Sequence, residues 1–229
     1  MIRPTQAQRV EESGWASTPR LVDDATLDEL ARAVESDNRR GRGGQRNLLD
    51  LPIVRALARS AAIRGVAESI LGASCGAVRG LFFDKTPGAN WRVAWHQDRM
   101  IAVRQRGPAD GFLAWSEKLG VVHVQPPASV LESMLAIRLH LDDCGPENGP
   151  VRVLGGSHRH GLLQADAIEA WKGRIAAIDC IVPRGGLLIF RPLLLHASSP
   201  AIRPDHRRVI HLEFAAGPLP GGLDWRWRA

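Results

Sequence analysis

At Gly72 the hydrophobic pattern of the chain changes period, and that change limits the folds open to it. Before Gly72 the spacing is helical. Leu27, Leu30, Ala31 and Val34 fall on one face, with Asp24 placed to cap the free N–H groups. Two further helices are expected over 52–60 and 61–71, with Pro52 near a start and Gly72 as the stop. After Gly72 the apolar runs become short and strand-like, at 77–85, 91–96, 101–105, 121–124, 134–142, 151–154, 179–182, 186–190 and 209–214, and one short helix over 165–171 interrupts them. Helices followed by many short strands predict a mainly β fold, a sandwich or barrel braced by N-terminal helices. Residues 1–20 carry little periodicity and read as an irregular lead-in. With no internal repeat or linker, the chain reads as a single domain. A mostly helical part spans 1–73, the β core 74–218, and a turn-rich tail with two tryptophans, folding back on the domain, 219–229.

Composition narrows the function classes. A length of 229 residues suits one domain with a sizeable core, and 45% hydrophobic with 24% charged residues is ordinary for a globular protein. No apolar run approaches membrane-spanning length, and the N-terminus lacks a hydrophobic signal core, so a cytoplasmic protein with no membrane partner is expected. Cys75, Cys144 and Cys180 are odd in number and lack a Cys-x-x-Cys, which argues against a disulfide framework or zinc site and for reduced, buried thiols. The net charge of +6 comes almost wholly from arginine, Lys85, Lys118 and Lys172 being the only lysines. An anionic substrate would suit that charge. The arginines are scattered rather than striped, and tyrosine is absent, so no nucleic-acid face is expected. The segment 39–46, rich in arginine and glycine, lacks the Walker arrangement; it reads as a solvated loop, with an anion-contacting lid as the functional alternative.

Chemistry concentrates at Trp95-His96-Gln97-Asp98, at the end of a strand-like run. Side chains alternate along a strand, so His96 and Asp98 project together and Gln97 turns away. An imidazole and a carboxylate so placed supply two of the three ligands of a facial triad, which leaves positions open on a non-haem Fe(II). Seven other histidines offer a third ligand: His123, His140, His158, His160, His196, His206 and His211. Of these, His196 ends the apolar run Pro192-Leu193-Leu194-Leu195 and enters a polar turn, beyond which Arg207-Arg208 opens the next strand. A hairpin here would return an arginine alongside the histidine.

The set of motifs resembles the phytanoyl-CoA dioxygenase family of Fe(II)- and 2-oxoglutarate-dependent oxygenases. The resembling residues are Trp95-His96-Gln97-Asp98, Leu139-His140-Leu141-Asp142-Asp143, Glu147-Asn148-Gly149-Pro150, Val153-Leu154-Gly155-Gly156-Ser157-His158, His196 and Arg207, covering roughly residues 75–216. The resemblance implies a double-stranded β-helix, the jelly-roll, cupin-like class. It implies His96, Asp98 and His196 as metal ligands and catalytic residues. It also implies Arg207, eleven residues past the distal histidine, as the partner of the far carboxylate of 2-oxoglutarate. Arginine suits that role because its guanidinium is a permanent, planar, two-pronged donor. The implied cofactors are Fe(II), the cosubstrate 2-oxoglutarate and O2, and the implied reaction oxidises a small molecule with release of succinate and CO2. Because Asp98 fills the position that halogenating members leave open, hydroxylation or a related oxidation is the expected outcome.

Several residues remain beside the triad. Arg138 shares a face with His140 in an otherwise apolar strand and reads either as a surface residue or as a contact to 2-oxoglutarate or an anionic substrate. Arg208, on the opposite strand face from Arg207, is the fallback for the cosubstrate. Lys85, Trp91, Trp95, Gln97 and His123 are weaker candidates for the substrate pocket. His211 reads as a core or supporting histidine, His158 as part of a structural turn, and His160 and His206 as solvent-exposed. Two rival functions stand beside the small-molecule oxygenase: a barrel that binds metal or ligand without turnover, and an oxidative nucleic-acid demethylase, which would need a basic groove with stacking platforms.

Overall fold

The computed structural model describes residues 5–37 and 43–229. Arg39, Arg40 and Arg42 of the basic loop lie outside the described residues. The N-terminal elements are α1 (Gln6–Ser13), β1 (Trp15–Ser17), α2 (Asp24–Asp37), β2 (Gly44–Gln45), α3 (Pro52–Arg59) and α4 (Ala61–Leu71). The β core follows with β3 (Gly76–Asp84), β4 (Val93–His96), β5 (Ile101–Val103), β6 (Leu113–Lys118), β7 (Val121–Gln125), α5 (Ala128–Glu132) and β8 (Met134–His140). It closes with β9 (Val151–Val153), α6 (Ala165–Arg174), β10 (Ile178–Cys180), β11 (Leu187–Phe190), β12 (His196–Ser198) and β13 (Arg208–Ala215).

Three antiparallel sheets result. A six-stranded sheet runs β1-β11-β8-β13-β3-β2, a four-stranded sheet β10-β9-β12-β4, and a three-stranded sheet β5-β7-β6. From β8 the chain alternates between the first two sheets, β9 and β10 in the small one, β11 in the large, β12 in the small and β13 in the large. This winding is the double-stranded β-helix, or jelly roll.

The large sheet buries both faces. Outward, Phe82, Leu135, Ile137, Leu139, Ile210 and Leu212 pack against Leu27, Leu30, Val34, Val54, Leu57 and Ile63 of the helices. This is why α2, α3 and α4 carry one apolar stripe each. Inward, the same strands turn a row of polar groups toward the small sheet: His140 and Arg138 of β8, and His211 and Glu213 of β13. One residue of register slip would exchange these two sets, so the apolar outer face fixes where the chemistry points.

The structure corrects several local expectations. The lead-in is not irregular: Thr5 and Gln8 form a capping box that starts α1, and β1 pairs with β11 at the sheet edge. With only Val10 buried, α1 is too short for its period to stand out. Asp23, not Asp24, caps α2, accepting from the Thr26 N–H at 2.9 Å, while Asp24 pairs with Arg20 and Arg184. Strand β6 escaped the sequence pattern because it is largely exposed and its register with β7 shifts between Leu113 and Ser116, where Ala114 has φ +52°. His196 opens a strand instead of ending one. No hairpin links it to Arg207, since β12 pairs with β4 and β9 whereas β13 pairs with β3 and β8. The tail returns to the core, where Ala77 and Ala229 exchange backbone hydrogen bonds and the Trp227 indole N–H donates to Asp50 Oδ1 at 2.8 Å. All three cysteines are free and buried.

Candidate metal centre

Strand pairing sets His96, at the end of β4, directly opposite His196, at the start of β12, with ring centroids 4.2 Å apart. Asp98 follows β4 and is held by its own N–H, which donates to the Pro192 carbonyl at 2.9 Å. Its two carboxylate oxygens each lie 3.6 Å from one histidine Nε2, Oδ1 from His96 and Oδ2 from His196. One donor atom from each residue falls within 4.8 Å of the others.

The protonation pattern is set by the backbone. His96 Nδ1 lies 2.8 Å from the Ala94 carbonyl and His196 Nδ1 lies 2.9 Å from the Leu194 carbonyl. A carbonyl can only accept, so Nδ1 carries the proton on each ring and Nε2 presents its lone pair to the shared point. His196 Nε2 and Asp98 Oδ2 are buried without a hydrogen-bond partner. Two such orphans facing each other are costly unless a cation lies between them. Burial pushes the His196 imidazole down to about 3 against the pull of Asp98, which keeps it neutral, as a ligand must be. Burial alone would raise the Asp98 carboxyl, but the His196, His96 and His211 rings hold it well below the ordinary carboxylate range. Three convergent N, N and O donors fit a divalent first-row metal such as iron.

A second group, Asp98, His211 and Glu213, is equally close. Its imidazole is already engaged: His211 Nδ1 accepts from Arg138 Nε–H at 2.9 Å, and Nε2 lies 3.3 Å from Glu213 Oε1. With both ring nitrogens used and a guanidinium alongside, His211 supports the site rather than offering a lone pair. Arg138 lies inside the barrel, not on the surface. Its guanidinium stacks 4.9 Å from the Phe190 ring centroid and 5.7 Å from that of Phe83.

Beyond β13 lies a second polar cluster. Arg207 is 6% exposed, with Nη1 donating to the Gly149 carbonyl, and its Nε is buried without a partner. Lys85, 1% exposed, donates to Ser198 Oγ at 3.1 Å and to the Ser199 carbonyl; burial and the charge of Arg207 lower it to about 8. His140, 2% exposed, has no partner on either ring nitrogen, and burial with the charges of Arg207 and Arg138 pushes it down to about 3. Two buried cations and an unbonded imidazole share this pocket with one carboxylate, Asp84, which accepts from the Arg207 backbone N–H at 3.0 Å and is also held by His206, so positive charge remains in excess. A carboxylate fits it.

Other sequence candidates separate clearly. Arg208 leaves the cavity to clasp Asp142 at 2.6 and 3.0 Å, with Glu35 beyond. Gln97 is spent on structure: its amide donates to the Gly161 and Leu193 carbonyls at 2.8 Å each and accepts from the Leu163 N–H at 2.9 Å. That leaves it nothing to offer a substrate. Trp95 packs against Leu154 and Leu195 with Arg152 stacked over its ring, and Trp91 lies under the Lys85 ammonium at 5.9 Å. His123 is buried in β7 with Nδ1 on the Val121 carbonyl. His206, expected in solvent, is half-exposed and bonded to Asp84 at 2.8 Å, whereas His160 packs edge-on against Trp171. His158 reaches the Glu11 carbonyl, tying its turn to α1. Sequence reasoning left His140 without a role, and its only signal was sharing a strand face with Arg138. A groove of about 600 Å³ between α2, α3 and α4 lies on the helical layer, away from the histidines.

A jelly roll carrying two histidines and an aspartate on facing strands defines a class of metal-dependent barrels. A model of the phytanoyl-CoA dioxygenase (PhyH) family matches residues 10–209, and the chain belongs to that family. No curated protein matches the sequence. Among solved structures, AviO1 from Streptomyces viridochromogenes Tue57 is similar with TM-score 0.67 and 20% identity over 94% of this chain and 96% of that one. EctD from S. alaskensis, solved with 2-oxoglutarate and 5-hydroxyectoine, gives TM-score 0.71 and 18% identity over 94% and 76%. SnoN, a non-heme alpha ketoglutarate dependent epimerase from nogalamycin biosynthesis, gives 0.67 and 16% over 97% and 92%. No helix among the described residues is long and apolar enough to cross a membrane.

Proposed function

We propose that the protein is an Fe(II)- and 2-oxoglutarate-dependent dioxygenase that hydroxylates a small molecule. The observation that carries this reading is the pair of buried, unpartnered atoms His196 Nε2 and Asp98 Oδ2, converging with His96 Nε2 on one point. Family membership and the 2-oxoglutarate in the EctD structure support it. His96, Asp98 and His196 would hold the iron, and when bound with 2-oxoglutarate and O2 it supplies the oxidant, releasing succinate and CO2.

The chain's own groups account for orientation. Arg207, with its free Nε–H, grips the far carboxylate of 2-oxoglutarate, and Lys85, level with it on the neighbouring strand, adds a second positive charge. His140, neutral and unbonded, donates one ring N–H to the same carboxylate. Arg138 stays cationic between its two phenyl rings and faces the metal side, where its charge acts on Asp98. The His211–Glu213–Arg79 chain behind it fixes that guanidinium in place. Asp98 favours hydroxylation over halide transfer because its carboxylate takes the coordination position a halide would need.

The test is O2-dependent consumption of 2-oxoglutarate by the iron-loaded protein, read as succinate formed, with His196→Ala as the inactive control. Decarboxylation in the wild type separates an enzyme from a barrel that only binds metal.

A further inference from the structure

The inner face of the large sheet continues past the metal site into a group of cations that the cosubstrate end does not use. β2 pairs Gly44 with Phe83 and Gln45 with Phe82, so the next residue, Arg46, comes opposite Leu81 and shares the inner face with Arg79. Asn47 Nδ2 donates to the Leu119 carbonyl at 3.4 Å, which ties the β6–β7 turn to this edge and brings Lys118 beside Arg46. Lys118 pairs with Val121 and Ser116 with His123, so Lys118 and His123 occupy one face of the three-stranded sheet.

The charges there are unbalanced. Arg79 is matched by Glu213 at 2.9 Å, and it also donates to the Met100 carbonyl, two residues past Asp98. Its Nε remains buried without a partner. Among the described side chains neither Arg46 nor Lys118 forms a salt bridge; desolvation and the charge of Arg79 lower the pKa of Arg46, and desolvation and the charges of Arg46 and Arg79 lower that of Lys118. His123 feels all three. Arg46 is half-buried and Lys118 exposed, so the repulsion is felt most at Arg46 and Arg79 and is relieved when an anion joins them. Along β13 the Arg79 row lies six residues from Arg207 and the Arg46 row four, which at about 3.3 Å per residue sets the corner roughly 13–20 Å along the sheet from Arg207.

We propose that Arg46 and Lys118, with Arg79 and His123 beside them, hold an anionic group of the substrate at the β2 edge of the inner face, level with His211 and the Arg79 row next to it. This rests on the oxygenase reading for its placement relative to the reacting centre. A planar guanidinium beside a mobile ammonium suits an oxyanion, a phosphoryl or sulfate ester or a carboxylate. The cosubstrate carboxylate is excluded from this corner because its own pocket is at Arg207.

The experiment titrates sulfate, standing for phosphoryl and sulfate esters, and acetate, standing for carboxylates. Both are followed by calorimetry, on metal-free protein and on the anaerobic Fe(II)–2-oxoglutarate form. Arg46→Gln combined with Lys118→Gln should weaken anion binding by about tenfold or more and leave 2-oxoglutarate affinity within about twofold. Arg32→Gln combined with Arg59→Gln removes the same charge from the helical layer and should leave anion binding unchanged. A response to sulfate alone assigns a phosphoryl or sulfo group, and a response to acetate alone a carboxylate. Equal weakening in both double variants, no weakening in the first, or no saturable binding to the wild type overturns the proposal. If the wild type forms no complex with Fe(II) and 2-oxoglutarate, the oxygenase reading fails, while the metal-free titration still decides the anion site.

Discussion

Replacing Arg207 by lysine isolates the fork of the guanidinium from its charge. In the structure Arg207 uses Nη1 on the Gly149 carbonyl, and Nε is left buried and unpartnered beside His140 and Lys85. Lysine keeps one positive charge but offers a single point, so it can serve the Gly149 carbonyl or a bound carboxylate, not both. The lost charge-assisted hydrogen bond corresponds to about 1.5–3 kcal/mol, a roughly tenfold to hundredfold weaker Kd for 2-oxoglutarate. The assay adds 2-oxoglutarate anaerobically to the Fe(II) protein and follows the metal-to-ligand absorption band. Iron affinity without cosubstrate should stay near the wild-type value, because Arg207 is on a different sheet from the triad histidines. Arg208→Lys is the matched comparison: it disturbs the clasp on Asp142 and Glu35 and should lower stability while leaving the titration unchanged. Unchanged affinity in Arg207→Lys would refute the assignment, and a loss confined to Arg138→Lys would move it to that residue.

Further expectations follow from the same geometry. His196→Ala should abolish stoichiometric Fe(II) binding, measured by competition with a chromophoric chelator; loss of iron in His140→Ala with retention in His196→Ala would reverse the ligand set. His140, held near 3 in the fold and near 6.5 unfolded, makes the metal-free protein fully stable only above pH 6.5, with stability falling toward pH 3 as the unfolded chain takes up a proton. His140→Met should therefore remove about 2 kcal/mol of the loss between pH 7 and pH 5 in urea titrations, and parallel curves for variant and wild type would contradict the burial argument. Gly149 has φ +62°, and a Cβ there would run into the Ser199 carbonyl. Gly149→Ala should cost about 1–3 kcal/mol of stability and weaken 2-oxoglutarate binding, because the carbonyl of Gly149 itself anchors Arg207.

Two members of the proposed ligand set were legible because they are local. His96 and Asp98 are two residues apart, and the alternation of side chains brings them together wherever that segment goes. Helices α3 and α4 were legible for a similar reason, since Pro52 and Gly72 mark their ends within the pattern itself. The residues from 91 to 98 needed no partner strand to declare their chemistry. His196 and Arg207 were reached through spacing and resemblance, and the hairpin imagined between them does not exist. The two residues meet the cavity from different sheets, and the eleven-residue spacing spans a crossing between layers.

What stayed hidden depends on register across strands distant in sequence. His140 looks like any histidine in an apolar strand until β13 pairs Val209 against it and turns it inward with Arg207 close by. The same holds for Arg46, which has meaning only once β2 lies against β3 and the 119–120 turn is tied to Asn47. Both consequences follow from one constraint, the apolar outer face of the large sheet. Ile137, Leu139, Ile210 and Leu212 must meet the helices, and their alternates at 138, 140, 209 and 211 then have no choice but the interior. A polar interior of that kind is unstable on its own, and the buried, unpartnered atoms of His140, His196, Asp98, Arg79 and Arg207 mark where it is unsatisfied. They line the space between the two sheets, with Arg207, His140 and Arg79 on the large sheet and His196 and Asp98 facing them from the small one, which is the arrangement the proposed reading needs for a cosubstrate, a metal and an anionic substrate to meet.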